Sequence, residues 1–226
     1  ASGENVLGTD DLGRDLFSRI LWGTQISLFV GVATVSLALV LGVLLGVLAG
    51  YYGGWIDMII MRYIDLQWAF PNFIIAVYLV AVFGTGLLNV IVAIALAFLD
   101  DFARVARSMV LTLKEEQFID AARVQGFSDM RIMLRHILPN AMAPLVAEFG
   151  LRFCFVFLTI SSLSFLGLGI KPPTADWGSM VRDNATLITF GDVTPLLPAG
   201  CIALLTVAVN FVVDWQLHRA SGLKES

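Results

Sequence analysis

Long stretches without a charged residue alternate with short charged segments along this chain. No Asp, Glu, Lys or Arg occurs between Arg19 and Asp57, and three further uncharged stretches cover residues 66–99, 153–170 and 193–213. A helix needs about 20 mostly apolar residues to cross the hydrocarbon core of a bilayer. The pattern therefore predicts an integral membrane protein built from helices.

The uncharged stretches divide into five predicted spans. The stretch 66–99 is too long for one helix, and Gly84 and Gly86 interrupt it with residues that favour a tight turn. Pro195 and Pro198 fall in the first turn of the last span, where a missing N–H costs little. We therefore expect an all-α helical bundle with spans over residues 26–50, 63–83, 87–104, 145–170 and 195–215.

The distribution of Lys and Arg predicts which loops face the cytoplasm. Residues 104–144 contain six of these side chains, whereas residues 171–192 contain two. Because cytoplasmic loops are enriched in Lys and Arg, we expect the N-terminus outside and the C-terminus inside. This orientation leads us to expect a sixth, N-terminal span that is missing from this chain. The implied organisation is an extracytoplasmic lead-in (1–25), a transmembrane domain (26–217) with a cytoplasmic loop (105–144) and an extracytoplasmic loop (171–192), and a cytoplasmic tail (218–226).

Composition and charge narrow the class further. Hydrophobic residues make up 58% of the chain and charged residues 14%, against about 25% charged in average soluble domains. A net charge of −4 argues against nucleic-acid binding. Cys154 and Cys201 both lie inside predicted spans, where they are expected to fill space rather than bind metal. The chain has two histidines and no GxxxxGK[ST] phosphate loop, so we expect neither an active site nor a bound cofactor or metal.

The loop 105–144 has the most informative local pattern. Residues 115–124 predict a short helix, and Gly126 follows where a left-handed cap is expected. Ser128 is placed to cap a second helix that Pro139 is expected to end. Periodicity alone allows two interpretations, amphipathic helices on the membrane surface or a docking element for a soluble partner. The apolar face of the second helix holds Met130, Met133, Leu134 and Ile137.

A motif in this loop resembles the EAA loop of the membrane subunits of ATP-binding-cassette (ABC) importers. The family pattern is Glu-Ala-Ala, three residues, Gly, nine residues, Ile, one residue and Leu-Pro. Asp120 replaces the Glu and His136 stands where Ile is usual, while the remaining positions keep their spacing. These positions are Ala121, Ala122, Gly126, Leu138 and Pro139.

Two further segments narrow the resemblance to the dipeptide, oligopeptide and nickel transport family. Residues 7–15 resemble the segment that precedes the second span of these permeases. Residues 163–169 resemble the outer loop near their fifth span, together with Pro172, Pro173, Trp177 and Gly178. The chain is similar to the second permease of such systems, which has the type I importer fold and six spans in its full form.

The resemblance implies the partners and the mechanism. Such a permease forms half of a transmembrane heterodimer in the bacterial inner membrane. Two cytoplasmic ATPase subunits bind ATP and Mg, and an extracytoplasmic binding protein delivers the substrate. Short peptides are the expected substrates, with nickel chelates, opines and other small solutes left open. The residues expected to couple this chain to the ATPase subunits are Phe118, Asp120, Ala121, Ala122, Gly126, Leu138 and Pro139.

Two adjacent acids stand out because charge at membrane depth is costly. Asp100 and Asp101 either line the translocation path, where they would favour cationic substrates, or are solvated at the inner surface where the helix ends. On the outer side, residues 174–188 are expected to form a short helix or a plain loop. Trp177 and Arg182 in this segment are expected to lie near the docked binding protein.

Other patterns predict packing and ion pairs. Glycines at 42, 46 and 50 repeat every four residues, a spacing that lets helices approach closely, within the chain or between subunits. Arg62 with Asp65, and Glu148 with Arg152, are spaced to pair along one helix.

Three other classes of membrane protein are less consistent with the sequence. A self-sufficient secondary transporter needs inverted repeats and a midplane ion site, and the sequence indicates neither. In a scaffold protein the EAA-like motif would be accidental. An intramembrane hydrolase would need a nucleophile and base, for which no residue set is present.

Overall fold

The computed structural model describes residues 6–10, 12–171 and 173–222, with residues 216–222 described by their backbone alone. The predicted lead-in and tail therefore lie partly outside the described residues, as does Pro172.

Nine α-helices account for most of the described residues, in agreement with the predicted all-α fold. Thr9 and Asp15 form an isolated bridge, and no strand occurs in the described ranges. A π-helical turn covers Met133–Ile137 and a 3-10 helix covers Ala185–Phe190. The α-helices are α1 (Leu16–Tyr52), α2 (Gly54–Trp68), α3 (Asn72–Phe83), α4 (Leu87–Leu113), α5 (Gln117–Val124), α6 (Asp129–Ile132), α7 (Leu138–Phe165), α8 (Trp177–Asp183) and α9 (Leu196–Gly222).

Three helical stretches in the described part of the chain are long and apolar enough to cross a membrane, and α2 with α3 makes a fourth if the pair is one span. Helix α4 is not among them because its middle contains Asp100, Asp101 and Arg104. The five predicted spans thus correspond to three unbroken apolar stretches, one broken pair and the charged helix α4. The unbroken stretches are Leu16–Tyr52, Asp129–Phe165 and Leu196–Trp215.

The second predicted span, residues 63–83, is broken in the structure. Helix α2 ends at Trp68, α3 begins at Asn72, and the two helices are bent by 93°. Pro71 is the N-cap of α3; it has no N–H for a helical ladder and disfavours helical conformation at Phe70. The prediction of one continuous helix here is wrong, because Pro71 breaks the helix within a stretch that has no charged residue from 66 to 83.

Helices α1 and α4 form the central pair of the bundle and pack through glycines. A Cβ atom on Gly42 would overlap the carbonyl oxygen of Leu99, and one on Gly46 would overlap that of Ala103. A Cβ atom on Gly50 would lie 2.9 Å from the Cβ of Val110, also on α4. The glycine repeat is therefore used for packing within the chain, which lets the two backbones approach.

Buried apolar side chains form two main clusters along the bundle. The larger one joins α1, α3, α4, α7 and α8, and includes the rings of Phe98, Phe102, Phe153 and Phe157. The second cluster lies where α1 and α4 end, and it attaches the 115–139 region to the bundle. Its buried members include Val43, Val47, Ala106, Val110, Ile119, Ala122, Ile132, Met133, Ile137, Ala141 and Leu145.

The chain does not stop its helix at Pro139, contrary to the prediction. A π-helical turn precedes it, and the Leu138 N–H bonds to the carbonyl of Met133. Such a wider turn separates the proline ring from the preceding carbonyl groups, so α7 continues without the missing N–H breaking it. The turn also changes the predicted apolar face: Met133 and Ile137 are buried, whereas Met130 and Leu134 are exposed.

Candidate functional site

Helix α5 has one face in the second cluster and one face open to solvent. Ile119 and Ala122 are 0% and 3% exposed, so they fasten the helix to the bundle. Phe118 is 40% exposed and Val124 is 89% exposed. Ala121 is also exposed. An exposed apolar stripe on a rigidly attached helix is a surface suited to contact with another protein.

Gly126 forms the corner between α5 and α6, as predicted. Its φ is +76°, a left-handed conformation that side chains with a Cβ rarely adopt. Its N–H bonds to the carbonyl of Arg123, and the next N–H, of Phe127, bonds to the carbonyl of Ala122. These two bonds make the Schellman arrangement that ends many helices.

Aromatic and polar contacts hold the second half of this corner. The Phe127 ring stacks on His136 at 5.6 Å, and the guanidinium of Arg131 lies 5.2 Å from the Phe127 centroid. The Tyr51 hydroxyl donates to Asp129 at 2.7 Å, which ties α6 to the end of α1. The N-cap position of α6 is Ser128, as predicted, but its side chain makes no capping hydrogen bond.

The structure brings some of the EAA-like residues to one surface and separates others. Asp120 is exposed and pairs with Arg123 at 3.2 Å. Pro139 is exposed at the start of α7, while Leu138 is partly buried against α1. Ala122, predicted to approach a partner, is buried within the chain and is therefore not available to one.

A second candidate site is a polar pocket at the bend between α2 and α3. Asp101 and Arg152 both line it, and their Oδ2 and Nη1 atoms lie 2.9 Å apart. Arg152 also pairs with Glu148 one turn earlier in α7, as predicted. Asn72, in the first turn of α3, lines the same pocket. The pocket therefore brings together residues of four helices, α2, α3, α4 and α7.

Asp100 lies beside this pocket in the middle of α4. It is fully buried, and neither carboxylate oxygen has a hydrogen-bond partner in the described part of the chain. Helix α4 continues to Leu113, thirteen residues beyond Asp100. The interpretation that both acids are solvated where the helix ends is therefore wrong.

Ion pairs fix α2 beside the second half of α4. Asp57 accepts from both Nε and Nη2 of Arg107, the second at 2.6 Å. Asp65 pairs with Arg104 at 2.7 Å rather than with Arg62, so the predicted pair within α2 is not formed. Arg104 also lies 4.0 Å from the Trp68 ring centroid.

The opposite end of the bundle holds α8 against α1. Trp177 is 5% exposed; its indole N–H donates to the carbonyl of Ile20 at 3.1 Å and its ring meets Phe157 edge to face. Its side chain is therefore an internal anchor and is not available to a binding protein. Arg182 remains partly exposed, where it pairs with Asp183 at 2.8 Å.

The 7–15 segment forms a compact turn at this same end. Asp10 accepts from the backbone N–H groups of Leu12 and Arg14, and its carboxylate pairs with the Arg14 side chain at 2.7 Å. Burial of Asp10 acts to raise its pKa, but the hydrogen bonds and charge of Arg14 outweigh it and hold the pKa below its usual value. Asp15 then caps α1 through the N–H of Ser18.

Comparison with known protein families identifies the family to which this chain belongs. The family described as the inner membrane component of binding-protein-dependent transport systems matches residues 42–221. The chain belongs to this family. It is thus an ABC importer permease subunit, a multi-pass protein of the inner membrane, and the family is one of transport proteins rather than enzymes.

Curated relatives place this permease in the peptide branch of the family. It is 43% identical over 213 residues to the dipeptide transport system permease protein DppC of Alkalihalophilus pseudofirmus, covering 94% of this permease and 70% of the relative. The glutathione transport system permease protein GsiD of Escherichia coli is 45% identical over 211 residues, covering 93% and 70%.

Solved transporters share the fold at low sequence identity. A chain of the inward-facing MetNI methionine ABC transporter superposes with a TM-score of 0.70 at 18% identity, covering 89% of this permease and 95% of that chain. A chain of an amino acid ABC transporter solved with histidines gives 0.63 at 16% identity, covering 90% and 94%.

Sequence reasoning missed several residues that build the two candidate sites. Ile119 anchors α5, and Val124 is its most exposed apolar side chain. The spacing of Ile119 and Val124 along a helix can be read from the sequence. Which of the two faces is buried depends on the apolar cluster that α5 shares with α4 and α7. The pairing of Arg152 with Asp101 joins residues 51 positions apart, so local spacing gives no signal for it.

Proposed function

We propose that this permease is coupled to cytoplasmic ATPase subunits through the exposed face of α5. The observation that carries the proposal is the orientation of this helix: Ile119 fixes it to the bundle, while Phe118 and Val124 remain open. ATP and Mg belong to the ATPase partners in this proposal. Their closure moves α5 as a rigid lever and switches the permease between outward-facing and inward-facing states.

The attachments of α5 support this lever. A docking helix transmits movement only if it is stiff relative to its own domain. The Gly126 corner, the Phe127–His136 stack and the Tyr51–Asp129 hydrogen bond connect α5 and α6 to α1 and to the start of α7. The coupling surface comprises Phe118, Asp120, Ala121, Gly126 and Pro139, with Val124 added and Ala122 and Leu138 supporting it from within.

The remaining partners follow from the family. A second, homologous permease completes the translocation pathway as a heterodimer, and an extracytoplasmic binding protein delivers substrate to the end of the bundle that holds α8. Arg182 is partly exposed in that region, and we assign it to the contact with the binding protein. Short peptides are the proposed substrates, supported by the peptide and glutathione permeases among the relatives.

Replacing Val124 by Asp tests the coupling surface. The side chain is 89% exposed, so the change leaves the fold intact but places an unpaired charge in the proposed interface. We expect co-purification of the ATPase subunits with tagged permease to fall at least about tenfold, as for an interface hot spot.

The matched control is Phe190→Asp, an apolar side chain 84% exposed at the other end of the molecule. This variant is expected to retain the ATPase subunits. Equal retention by both variants, at equal amounts of permease in the membrane, would show that α5 is not the docking surface.

A further inference from the structure

The polar pocket at the α2–α3 bend has the volume of a small-molecule site. It is open and has a volume of about 430 Å³, within the range typical of small-molecule sites. Irregular backbone at membrane depth is tolerated where it is buried in protein or lines an aqueous cavity. Residues 69–71 are such a break. The pocket is lined by Trp68, Ala69, Phe70, Pro71, Asn72, Asp101 and Arg152.

Negative charge is in excess around this pocket. Counted as formal charges, the carboxylates of Asp100, Asp101 and Glu148 contribute −3 and the guanidinium of Arg152 contributes +1, which leaves −2. Asp65 and Arg104 pair with each other outside the pocket lining and cancel. Asp57 and Arg107 cancel each other further along α4. An uncompensated charge of this size inside a bundle attracts a cationic group.

Asp101 is the group best placed to bind such a cation. Its side chain is 6% exposed yet lines the pocket, and its Oδ2 atom lies 2.9 Å from Nη1 of Arg152 without a hydrogen-bond partner among the described residues. Asp100, on the adjacent position, is fully buried without a hydrogen-bond partner. A buried carboxylate without a donor is costly, and an ammonium group supplies up to three donors.

Aromatic rings complete the environment. The Trp68 ring already has a cation on it, since the Arg104 guanidinium lies 4.0 Å from its centroid. Phe70, within the break, is 55% exposed, so its ring is accessible to a second cation. Aromatic faces next to carboxylates favour organic cations over small metal ions, because the ring quadrupole attracts a weakly hydrated cation.

We propose that this pocket is a subsite for a primary ammonium group of the substrate, held by Asp101 with Asn72 beside it and attracted by the charge of Asp100. The inference rests on the proposed function, because it concerns the solute that the permease moves. The ammonium has two sources in a peptide, the amino terminus or a lysine side chain.

Uptake by the assembled transporter in proteoliposomes tests the subsite and distinguishes the two sources. Tri-alanine has the terminal ammonium alone, whereas Ala-Lys-Ala has both. Asp101→Asn is expected to lower uptake of both peptides about tenfold if the amino terminus is bound, the loss typical of one hydrogen bond to a charged group. A loss confined to Ala-Lys-Ala assigns the site to the lysine side chain.

Two further variants keep the result interpretable. Asp100→Asn removes charge without breaking an ion pair and is expected to lower uptake in the same direction. Asp65→Asn removes an acid that pairs outside the pocket lining and serves as the matched control. Uptake of both peptides by Asp101→Asn and Asp100→Asn at the level of this control would overturn the proposal.

A chemical measurement tests the pocket without relying on transport. Ala69→Cys, in the complex with Cys154 and Cys201 replaced by Ser, places a thiol in the lining. We expect a trimethylammonium thiosulfonate to react about tenfold faster, relative to a sulfonate analogue, than at the exposed reference Thr174→Cys. Asp101→Asn should reduce this preference.

Equal reagent preference at the two positions would overturn the subsite while leaving the coupling proposal intact. Loss of ATPase co-purification in the Val124 experiment concerns α5, which does not line this pocket, and has no effect on this reagent ratio. The two proposals therefore fail separately.

Discussion

At the scale of single residues, the close contact between α1 and α4 depends on the absence of one carbon atom at each of two positions. Helices α1 and α4 cross where Gly42 and Gly46 face the backbone of α4. A Cβ on Gly46 would lie 2.8 Å from that of Ala106 and overlap the Ala103 carbonyl. Backbone atoms have no rotamer with which to move aside, so a methyl group here must separate the helices.

Gly46→Ala is therefore expected to destabilise the permease by about 1–3 kcal/mol, the usual cost of overpacking. Gly200→Ala is the matched control, because a Cβ on this α9 glycine meets nothing within 4 Å. Thermal unfolding of the purified complex in detergent measures the difference. Equal melting temperatures for the two variants would contradict close α1–α4 packing.

At the scale of elements, the corner between α5 and α6 depends on a single backbone conformation. Gly126 has φ +76° and donates its N–H to the carbonyl of Arg123. Proline fixes φ near −65° and has no N–H, so it is incompatible with both features. Alanine keeps the N–H and meets no atom within 4 Å, so only the left-handed strain remains, about 1–2 kcal/mol.

We expect Gly126→Pro to uncouple ATP hydrolysis from uptake while the subunit stays in the membrane. Gly126→Ala is expected to show a smaller loss of uptake. The measurement is the ratio of substrate transported to ATP hydrolysed in proteoliposomes. Normal transport by Gly126→Pro would contradict a rigid corner between the two helices.

The sequence predicted which segments form helices better than it predicted where those helices bend or end. The apolar stretches and the Gly84–Gly86 turn follow from local composition, and both are confirmed. A proline breaks the helix at Pro71, whereas the helix continues through Pro139. What decides between them is tertiary: the π-helical turn before Pro139 is packed through Met133 and Ile137, whereas the residues before Pro71 line an open pocket.

The candidate sites divide in the same way. The EAA-like motif and the Gly126 corner can be found from residues close in sequence. The pocket depends on contacts between α3, α4 and α7, which local periodicity does not contain. Sequence singled out Asp101 because charge is rare at membrane depth, but it gave no indication that Arg152 and Asn72 lie beside it.

At the scale of the whole molecule, the distribution of basic side chains favours one orientation in the membrane. The second half of α4 and the segment through α6 and the π-helical turn carry six basic side chains: Arg104, Arg107, Lys114, Arg123, Arg131 and Arg135. The opposite end, with α8 and the start of α1, carries four: Arg14, Arg19, Lys171 and Arg182. By the positive-inside rule, we propose that the end with α5 faces the cytoplasm. The two proposed docking surfaces, for ATPase subunits and for a binding protein, then lie on opposite sides of the membrane.

Cysteine labelling in cells tests this orientation directly. Thr174 and Gln125 are both exposed polar residues, one beside α8 and one at the Gly126 corner. With the native cysteines replaced, Thr174→Cys is expected to react with an impermeant thiol reagent when only the outer membrane is made permeable. Gln125→Cys should react only after the inner membrane is opened, because its thiol lies on the cytoplasmic side. The reverse order of labelling would place α5 outside, where no ATPase subunit can reach it, and would remove the physical basis of the coupling proposal.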